Sequence, residues 1–174
     1  RKCYMKNFYD YINKNILSSP TTVTKEEYQP IITNDNIGLL SNSFDTNIAA
    51  SAFLSFDLIK CDTLERVGEI NFQAMEYDEF FYGGNVDYMI YDSFRHLGYG
   101  TQSLSLLKQL LHENSYAIEE GILISTLPDN IYSQRIAMKN GGILIYEGCV
   151  PKDNPLYQID HVEEVKIYQI KVKK

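Results

Sequence analysis

The sequence has few of the residues that build disulfide-linked or metal-stabilised domains. Its 174 residues include three cysteines, Cys3, Cys61 and Cys149, and no two of them have a CxxC spacing. An odd, scattered set of cysteines is typical of reduced thiols in a cytosolic protein rather than of a disulfide framework or a zinc site. No two of the three histidines share metal-ligand spacing. We therefore expect a cytoplasmic protein without a bound metal.

Positive charge and long apolar runs are also scarce. The chain has 16 Lys and Arg against 23 Asp and Glu, a formal net charge of −7. A surface of that sign repels phosphate backbones, so nucleic acid is not expected as a partner, whereas a cationic substrate is tolerated or attracted. No run approaches the roughly 18 apolar residues of a membrane span, and no signal peptide opens the chain, so no membrane partner is expected. Because the chain begins at Arg1 rather than Met, we expect a few native residues to precede it.

Length and composition indicate one globular domain. Hydrophobic residues make up 44% of the chain and charged residues 22%, which excludes intrinsic disorder and fibrous architectures. A chain of this length buries roughly two thirds of its unfolded surface, enough for a core of its own. We interpret residues 1–174 as a single domain, with a helical and loop-like N-terminal part over 1–50 and a core over 51–174.

The N-terminal part shows one clear pattern. Tyr4, Phe8, Ile12 and Ile16 recur every four residues, which predicts one face of an amphipathic helix. The stretch 21–46 is interrupted by turn-forming residues, and we interpret it as a loop with a second short helix near 25–28.

From residue 52 onward the pattern predicts strands that alternate with helices. The short link between the runs 53–59 and 67–75 predicts an antiparallel hairpin. Leu104, Leu107 and Leu111 have helical spacing and predict a helix that opens near Gly98. Further strands are predicted over 86–91, 121–126, 143–146 and 165–172, with a helix over 131–139 and a polar loop around Pro151 and Pro155. The fold class is therefore a mixed α/β sheet.

The most informative motif lies between a predicted strand and a predicted helix, and reads Arg95-His96-Leu97-Gly98-Tyr99-Gly100-Thr101. Two glycines let the backbone turn tightly, and the helix that follows presents unpaired N–H groups and its positive dipole end. Such a loop forms a cradle for a pyrophosphate, and Arg95 adds positive charge. The alternative is a glycine-rich connection without a ligand. The motif is neither a dinucleotide fingerprint, since residue 103 is Ser, nor a P-loop, since no Gly-Lys-Ser/Thr follows.

A second segment, about thirty residues later, strengthens the ligand interpretation. Together the two segments resemble the GNAT superfamily of acyl-CoA N-acyltransferases over roughly 53–172. The phosphate-binding signature Arg/Gln-x-x-Gly-x-Gly/Ala is met by Arg95, Gly98 and Gly100. The later Asn-x-x-Ser/Ala helix with Lys-x-Gly is met by Asn130, Ser133, Lys139 and Gly141. Upstream, the run Gly83-Gly84-Asn85-Val86-Asp87-Tyr88 resembles one bacterial branch of acetyltransferases.

The resemblance implies a fold and a cofactor. The GNAT fold has a mixed, mostly antiparallel central sheet with a splayed parallel strand pair, flanked by helices. Acetyl-CoA would be the acyl donor, with its pyrophosphate on the loop backbone and its pantetheine arm along the strand edge around 89–91. Asn130 would bond a pantetheine amide; the alternative is a plain helix N-cap, and the two roles are compatible. The residues expected to bind the cofactor are Met89, Ile90, Tyr91, Arg95, His96, Leu97, Gly98, Tyr99, Gly100, Thr101, Asn130 and Ser133.

Catalysis in this family needs no covalent enzyme intermediate, because the amine attacks the thioester directly. The family usually places a tyrosine, as the acid, seven residues after Asn130, where this chain has Ala137. Ser133 is then the side chain best placed to donate a hydrogen bond to the thiolate, and the alternative is a small residue that lets the cofactor approach. Tyr132 points about 100° away from that helix face and is a weaker candidate.

Glu69 is the candidate base. It lies on the polar face of its predicted strand, beside Asn71 and Gln73, and the resemblance places that strand at the acceptor cleft. A carboxylate there can take a proton through one water or bind an incoming ammonium ion. The alternative is an ordinary solvated strand face.

These observations predict a cytoplasmic N-acetyltransferase that acts on a primary amine of a small molecule or peptide. The alternative is a GNAT-fold sensor or scaffold that binds CoA without turnover, and an acyl chain other than acetyl is a third possibility. The sensor alternative stays open because this chain has Ala137 where the family usually has its tyrosine acid. Acceptor loops in the family correspond here to 21–46 and 151–164, where the resemblance ends, so the acceptor is not specified. A homodimer is also left open.

Overall fold

The computed structural model describes residues 21–42, 53–74, 81–114 and 121–172. The helix predicted from Tyr4 to Ile16 lies outside the described residues. No helix in the described part of the chain is long and apolar enough to cross a membrane.

Five strands form the first sheet, in the order β1-β2-β3-β4-β5 with antiparallel neighbours throughout. They are β1 (Ile32–Thr33), β2 (Ile37–Ser41), β3 (Phe53–Lys60), β4 (Arg66–Gln73) and β5 (Val86–Ile90). The predicted hairpin is confirmed, since Phe56 pairs with Ile70 and Asp57 with Glu69 across β3 and β4.

The prediction of a loop over 21–46 was wrong, because β1 and β2 form a hairpin inside it. The turn residue Asn34 closes this hairpin, and its Oδ1 accepts hydrogen bonds from the N–H groups of Asn36 and Ile37 at 2.8 and 2.9 Å. Residues 25–27 form a turn rather than the second short helix. The Glu27 carboxylate accepts hydrogen bonds from the backbone N–H and hydroxyl of Thr24, which stabilises that turn.

A second sheet has the order β6-β8-β7 and consists of β6 (Ile122–Thr126), β7 (Ile143–Cys149) and β8 (Glu164–Ile170), again with antiparallel neighbours. The polar loop predicted between β7 and β8 contains a short helix, which we call α3 (Pro155–Asp160). Asn154 caps it by accepting from the N–H of Leu156, and Pro155 occupies its first turn. A proline at this position starts a helix because its missing N–H needs no partner there.

Two longer helices complete the core, α1 (Tyr99–Glu113) and α2 (Ile131–Lys139). Leu104, Leu107 and Leu111 are fully buried, which confirms the predicted inner face of α1. They pack with the apolar sides of β2 to β5 in the main core, whose large, fully buried side chains include Ile37, Leu39, Leu54, Phe56, Leu58, Ile70 and Phe72. The mixed α/β class is thereby confirmed.

The two sheets meet where β5 lies beside β6. Asn85, just before β5, donates its N–H to Leu123 O at 2.9 Å and accepts from Leu123 N through Oδ1 at 2.8 Å. A single antiparallel bridge, Gly84 to Ile124, pairs the two regions, and no ladder joins β5 to β6 in the described residues. The parallel orientation of a splayed pair therefore stays a prediction.

Candidate active site

The loop between β5 and α1 presents a cluster of unpaired amides. A 3-10 helix (Asp92–Phe94) follows β5, and Gly98 then takes the N-cap position with φ 84° and ψ 2°. The first-turn N–H groups of Tyr99, Gly100 and Thr101 have no intrahelical acceptor, as at the start of any α-helix, and no side chain of the described residues caps α1. Residues 95–98 are exposed. Tyr99 and Gly100 are themselves buried, so an anion would approach the positive end of the helix dipole from the side of the exposed loop.

The two glycines of the motif have different roles. A Cβ added to Gly98 would have only Gln102 Nε2 nearby, at 3.7 Å, so the space in front of this residue is open. A Cβ on Gly100 would lie 2.7 Å from Ile136 Cδ1, inside the contact between α1 and α2. The space in front of Gly98 is therefore open, whereas a side chain at Gly100 would have to displace Ile136.

Arg95 holds the loop against the end of β5. Its Nε donates to Ile90 O at 3.2 Å, and its Nη2 lies 2.9 Å from Asp92 Oδ1. The His96 ring makes an edge-to-face contact with Tyr132, with centroids 4.9 Å apart, so the loop lies beside the first turn of α2. The structure therefore brings the two sequence motifs together.

Asn130 is the N-cap of α2. Its Oδ1 accepts from Ser133 N at 3.1 Å, as the N-cap alternative predicted. That bond uses the side-chain oxygen and does not engage the Nδ2 group, which is a donor.

Ser133 has a partner that the sequence did not suggest. The Tyr88 hydroxyl, from β5, donates to Ser133 Oγ at 3.1 Å. Burial raises the pKa of Tyr88 to about 12, so this phenol stays protonated at neutral pH. Because Ser133 Oγ accepts this bond, its own hydrogen is free to point elsewhere, and cooperative polarisation strengthens it as a donor.

Ala137 does not face an open site. Its side chain is 0% exposed, and it belongs to the main core. Its carbonyl accepts from Gly142 N at 2.9 Å, where the chain leaves α2. A phenol at this position would overpack the core, which costs about 1–3 kcal/mol. The position that holds the family's usual tyrosine therefore cannot hold one in this chain without rearrangement.

The face of the first sheet that carries Glu69 is buried, which overturns the solvated-face alternative. Glu69 is 6% exposed, and its neighbours Asp57 and Asn71 are also buried. Arg66 pairs with Asp57 at 2.6 Å, and Asn42 Nδ2 donates to Asp57 Oδ1 at 2.7 Å. This face is a packed polar network rather than a surface.

Glu69 has the electrostatics of a proton acceptor. Burial raises its pKa, and the nearby Asp57 carboxylate raises it further, while Arg66 and a hydrogen bond from Tyr91 oppose the shift. The Tyr91 hydroxyl lies 3.4 Å from Glu69 Oε1. Burial, and then the Glu69 charge, raises the pKa of Tyr91 to about 12. A carboxyl with a raised pKa works as a general base closer to neutral pH.

A cavity of about 180 Å³ opens between β5 and the end of β6, and sequence reasoning missed the carboxylate in it. Its lining comprises Gly83, Val86, Asp87, Ser125, Thr126, Leu127, Leu156, Val162 and Val165. Glu69 is not among these residues. Asp87 pairs with Asn71 across β4 and β5, so strand alternation placed it on the same face as Glu69, and that signal was available in the sequence.

Comparisons with known proteins agree with this geometry. The family model for the acetyltransferase (GNAT) domain matches residues 9–143. A search of curated proteins found no significant match.

Solved structures of acetyltransferases have a similar fold. The microcin C7 self-immunity acetyltransferase MccE, in complex with acetyl-CoA and AMP, matches with a TM-score of 0.50 and 15% identity over 68% of this chain and 60% of that one. A Salmonella typhimurium acetyltransferase that modifies the N-terminal serine of ribosomal protein L7/L12 matches with a TM-score of 0.51 and 18% identity. The match covers 68% of this chain and 63% of that one. A spermidine N-acetyltransferase SpeG chimera from Vibrio cholerae and hSSAT matches with a TM-score of 0.52 and 10% identity. The match covers 72% of this chain and 70% of that one.

The first two of these matches span less than two thirds of the solved chains, and at such identities they show the fold alone. The family model covers most of the chain, and it confirms the resemblance to the GNAT superfamily. The chain belongs to the GNAT acetyltransferase family, whose members use acetyl-CoA, and it is an acyltransferase.

Proposed function

We propose that this protein moves the acetyl group of acetyl-CoA to a primary amine of a small molecule or peptide, by direct attack in a ternary complex. The observation that carries the proposal is the uncapped first turn of α1 behind the exposed loop residues 95–98, which adjoins the end of β5. The amides there suit a pyrophosphate. The edge of β5 that faces away from β4 has no ladder partner among the described residues, and it suits the pantetheine amides.

The acyl transfer then needs few groups. The amine nitrogen forms a bond to the thioester carbon, the carbon–sulfur bond breaks, and its electron pair stays on sulfur. An acceptor that begins as an ammonium ion loses two protons overall, of which one is returned to the sulfur and one leaves to solvent. We assign the first proton removal to Glu69, through one water, and the stabilisation of the departing thiolate to Ser133.

Two alternatives differ in measurable ways. A sensor or scaffold would bind acetyl-CoA and consume none, and an enzyme specific for a longer acyl chain would prefer a longer thioester. The buried carboxylate network around Glu69 favours turnover over sensing, because cofactor binding alone does not need a carboxyl with a raised pKa.

Acetyl-CoA should be consumed when a panel of primary amines is supplied. The assay measures free CoA thiol together with the acetylated amine by mass spectrometry, and thermal unfolding measures binding. We expect both product formation and a higher melting temperature with acetyl-CoA, because a ligand that binds only the folded state stabilises it. A rise in melting temperature without any product would support the sensor, and neither effect would refute the proposal.

Replacing Glu69 with Gln should lower kcat/KM by about 10²-fold or more, the usual contribution of a general base. Because the Glu69 pKa is raised, wild-type activity should rise with pH through that raised value, and the acid limb should vanish in the variant. Glu113→Gln, at the exposed C-terminal end of α1, removes the same charge and should leave the profile unchanged. If Glu69→Gln has the kinetics of the wild type, Glu69 is not the base and another group removes the proton.

A further inference from the structure

We infer that the acceptor is a compact primary amine with one positive charge and an apolar body, whose ammonium group binds Asp87. This inference rests on the proposed acetyl transfer and names its substrate class. The site is the cavity between β5 and the end of β6, a place that belongs to the cleft where the two sheets separate.

Size limits the acceptor first. The cavity volume of about 180 Å³ is below the roughly 300–1,000 Å³ of pockets that enclose drug-sized ligands. A small amine fits wholly inside such a space.

Charge limits the acceptor next. Among the described lining residues, Asp87 alone is charged. The hydroxyls of Ser125 and Thr126 already donate within the chain, to Tyr82 O at 2.6 Å and to Leu127 O at 3.1 Å. One carboxylate neutralises one ammonium group, so a polyamine would leave its further charges against an apolar wall, which is costly. That wall consists of Val86, Leu127, Leu156, Val162 and Val165.

The surroundings of Asp87 suit a cation. Burial raises its pKa, and a hydrogen bond from Asn71 lowers it. Asn71 is 4% exposed, and its Oδ1 has no hydrogen-bond partner among the described residues. A buried acceptor without a partner is rare and calls for an explanation. Asn71 does not itself line the cavity but bonds Asp87 from behind, so an ammonium ion in the cavity binds the Asp87 carboxylate.

The test compares three acceptors with the wild-type protein and saturating acetyl-CoA: 3-methylbutylamine, spermidine, and a short peptide with a free N-terminal serine. We expect kcat/KM for 3-methylbutylamine to exceed the other two values by about tenfold or more, since burial of the apolar body and rejection of extra charge each contribute at least that factor. Equal or better use of spermidine or of the peptide overturns the inference while leaving acetyl transfer intact. If no amine is acetylated, the proposed function fails, and the inference fails with it.

A variant tests the role of Asp87 separately. Asp87→Asn should raise KM for 3-methylbutylamine by about 30-fold or more, because the ammonium group loses its charge partner. The rise in melting temperature with acetyl-CoA should persist, since Asp87 lies in the acceptor cavity. Asp62→Asn, an exposed position in the turn between β3 and β4 and outside the acceptor loops, is the matched control and should change neither value. An unchanged KM in Asp87→Asn overturns the assignment of Asp87.

Discussion

Replacing Gly98 with Asn should weaken acetyl-CoA binding by about 10²-fold or more while the fold stays largely intact. Asn tolerates the left-handed conformation that Gly98 adopts at φ 84°, so the cost to stability lies at the low end of the roughly 1–2 kcal/mol of other left-handed residues. Its side chain would occupy the open space in front of the first turn of α1. Losing two hydrogen bonds to a charged phosphate, at about 1.5 kcal/mol each, accounts for a factor of about 10².

The matched control is Gly141→Asn. Gly141 has φ 85°, its added Cβ would meet only Lys108 Nζ at 4.0 Å, and it lies at the other end of α2. Both variants therefore place Asn in the left-handed conformation at a similar cost in folding free energy. They differ in that only Gly98 lies at the proposed phosphate cradle. Isothermal titration calorimetry with CoA should show loss of affinity in the Gly98 variant alone. Equal affinities in both would place the cradle elsewhere.

Ser133→Ala should lower kcat by about 10²-fold or more with little change in acetyl-CoA affinity, because the proposed hydrogen bond to the thiolate exists mainly in the transition state. Tyr88→Phe should have a smaller effect on kcat, about fivefold to tenfold. It removes only the bond of about 1 kcal/mol that orients Ser133. Steady-state kinetics with saturating amine measures both values.

The pH dependence distinguishes orientation from proton loss. Because the pKa of Tyr88 is raised to about 12, its hydroxyl stays protonated between about pH 6 and 10. The ratio of wild-type to Tyr88→Phe kcat should therefore be constant over that range. Tyr146→Phe also removes a hydroxyl donor, one that bonds Cys149 O at 2.7 Å, and should leave kcat unchanged. Wild-type kcat in Ser133→Ala would leave water as the proton donor.

Residue spacing along the sequence predicted the helices with a regular apolar face, but it did not distinguish tight turns and helix starts from loops. The leucine spacing of α1 follows from backbone periodicity, and the prediction was correct. The loop predicted over 21–46 failed because Asn34 and its neighbours mark a tight turn between short strands as well as they mark a loop. Pro155 likewise signals either a loop or the first turn of a helix, and the Asn154 cap selects the helix.

The site was predictable in its motifs and not in its contacts. The order of Arg95, Gly98, Asn130 and Ser133 indicated the family because these residues match the two motifs by which the chain resembles it. The partner of Ser133 is 45 residues away in sequence, and it became visible only through packing. The roles of Gly98 and Gly100 also separate only in three dimensions, where Ile136 occupies the space beside Gly100.

The most direct test is a crystal structure of the protein with CoA bound. We predict that the pyrophosphate oxygens lie within about 2.7–3.2 Å of backbone nitrogens between Gly98 and Thr101. We also predict that the sulfur lies beside Ser133 Oγ and points toward the cavity that Asp87 lines. A pyrophosphate bound away from the first turn of α1 would contradict this assignment of the cofactor site.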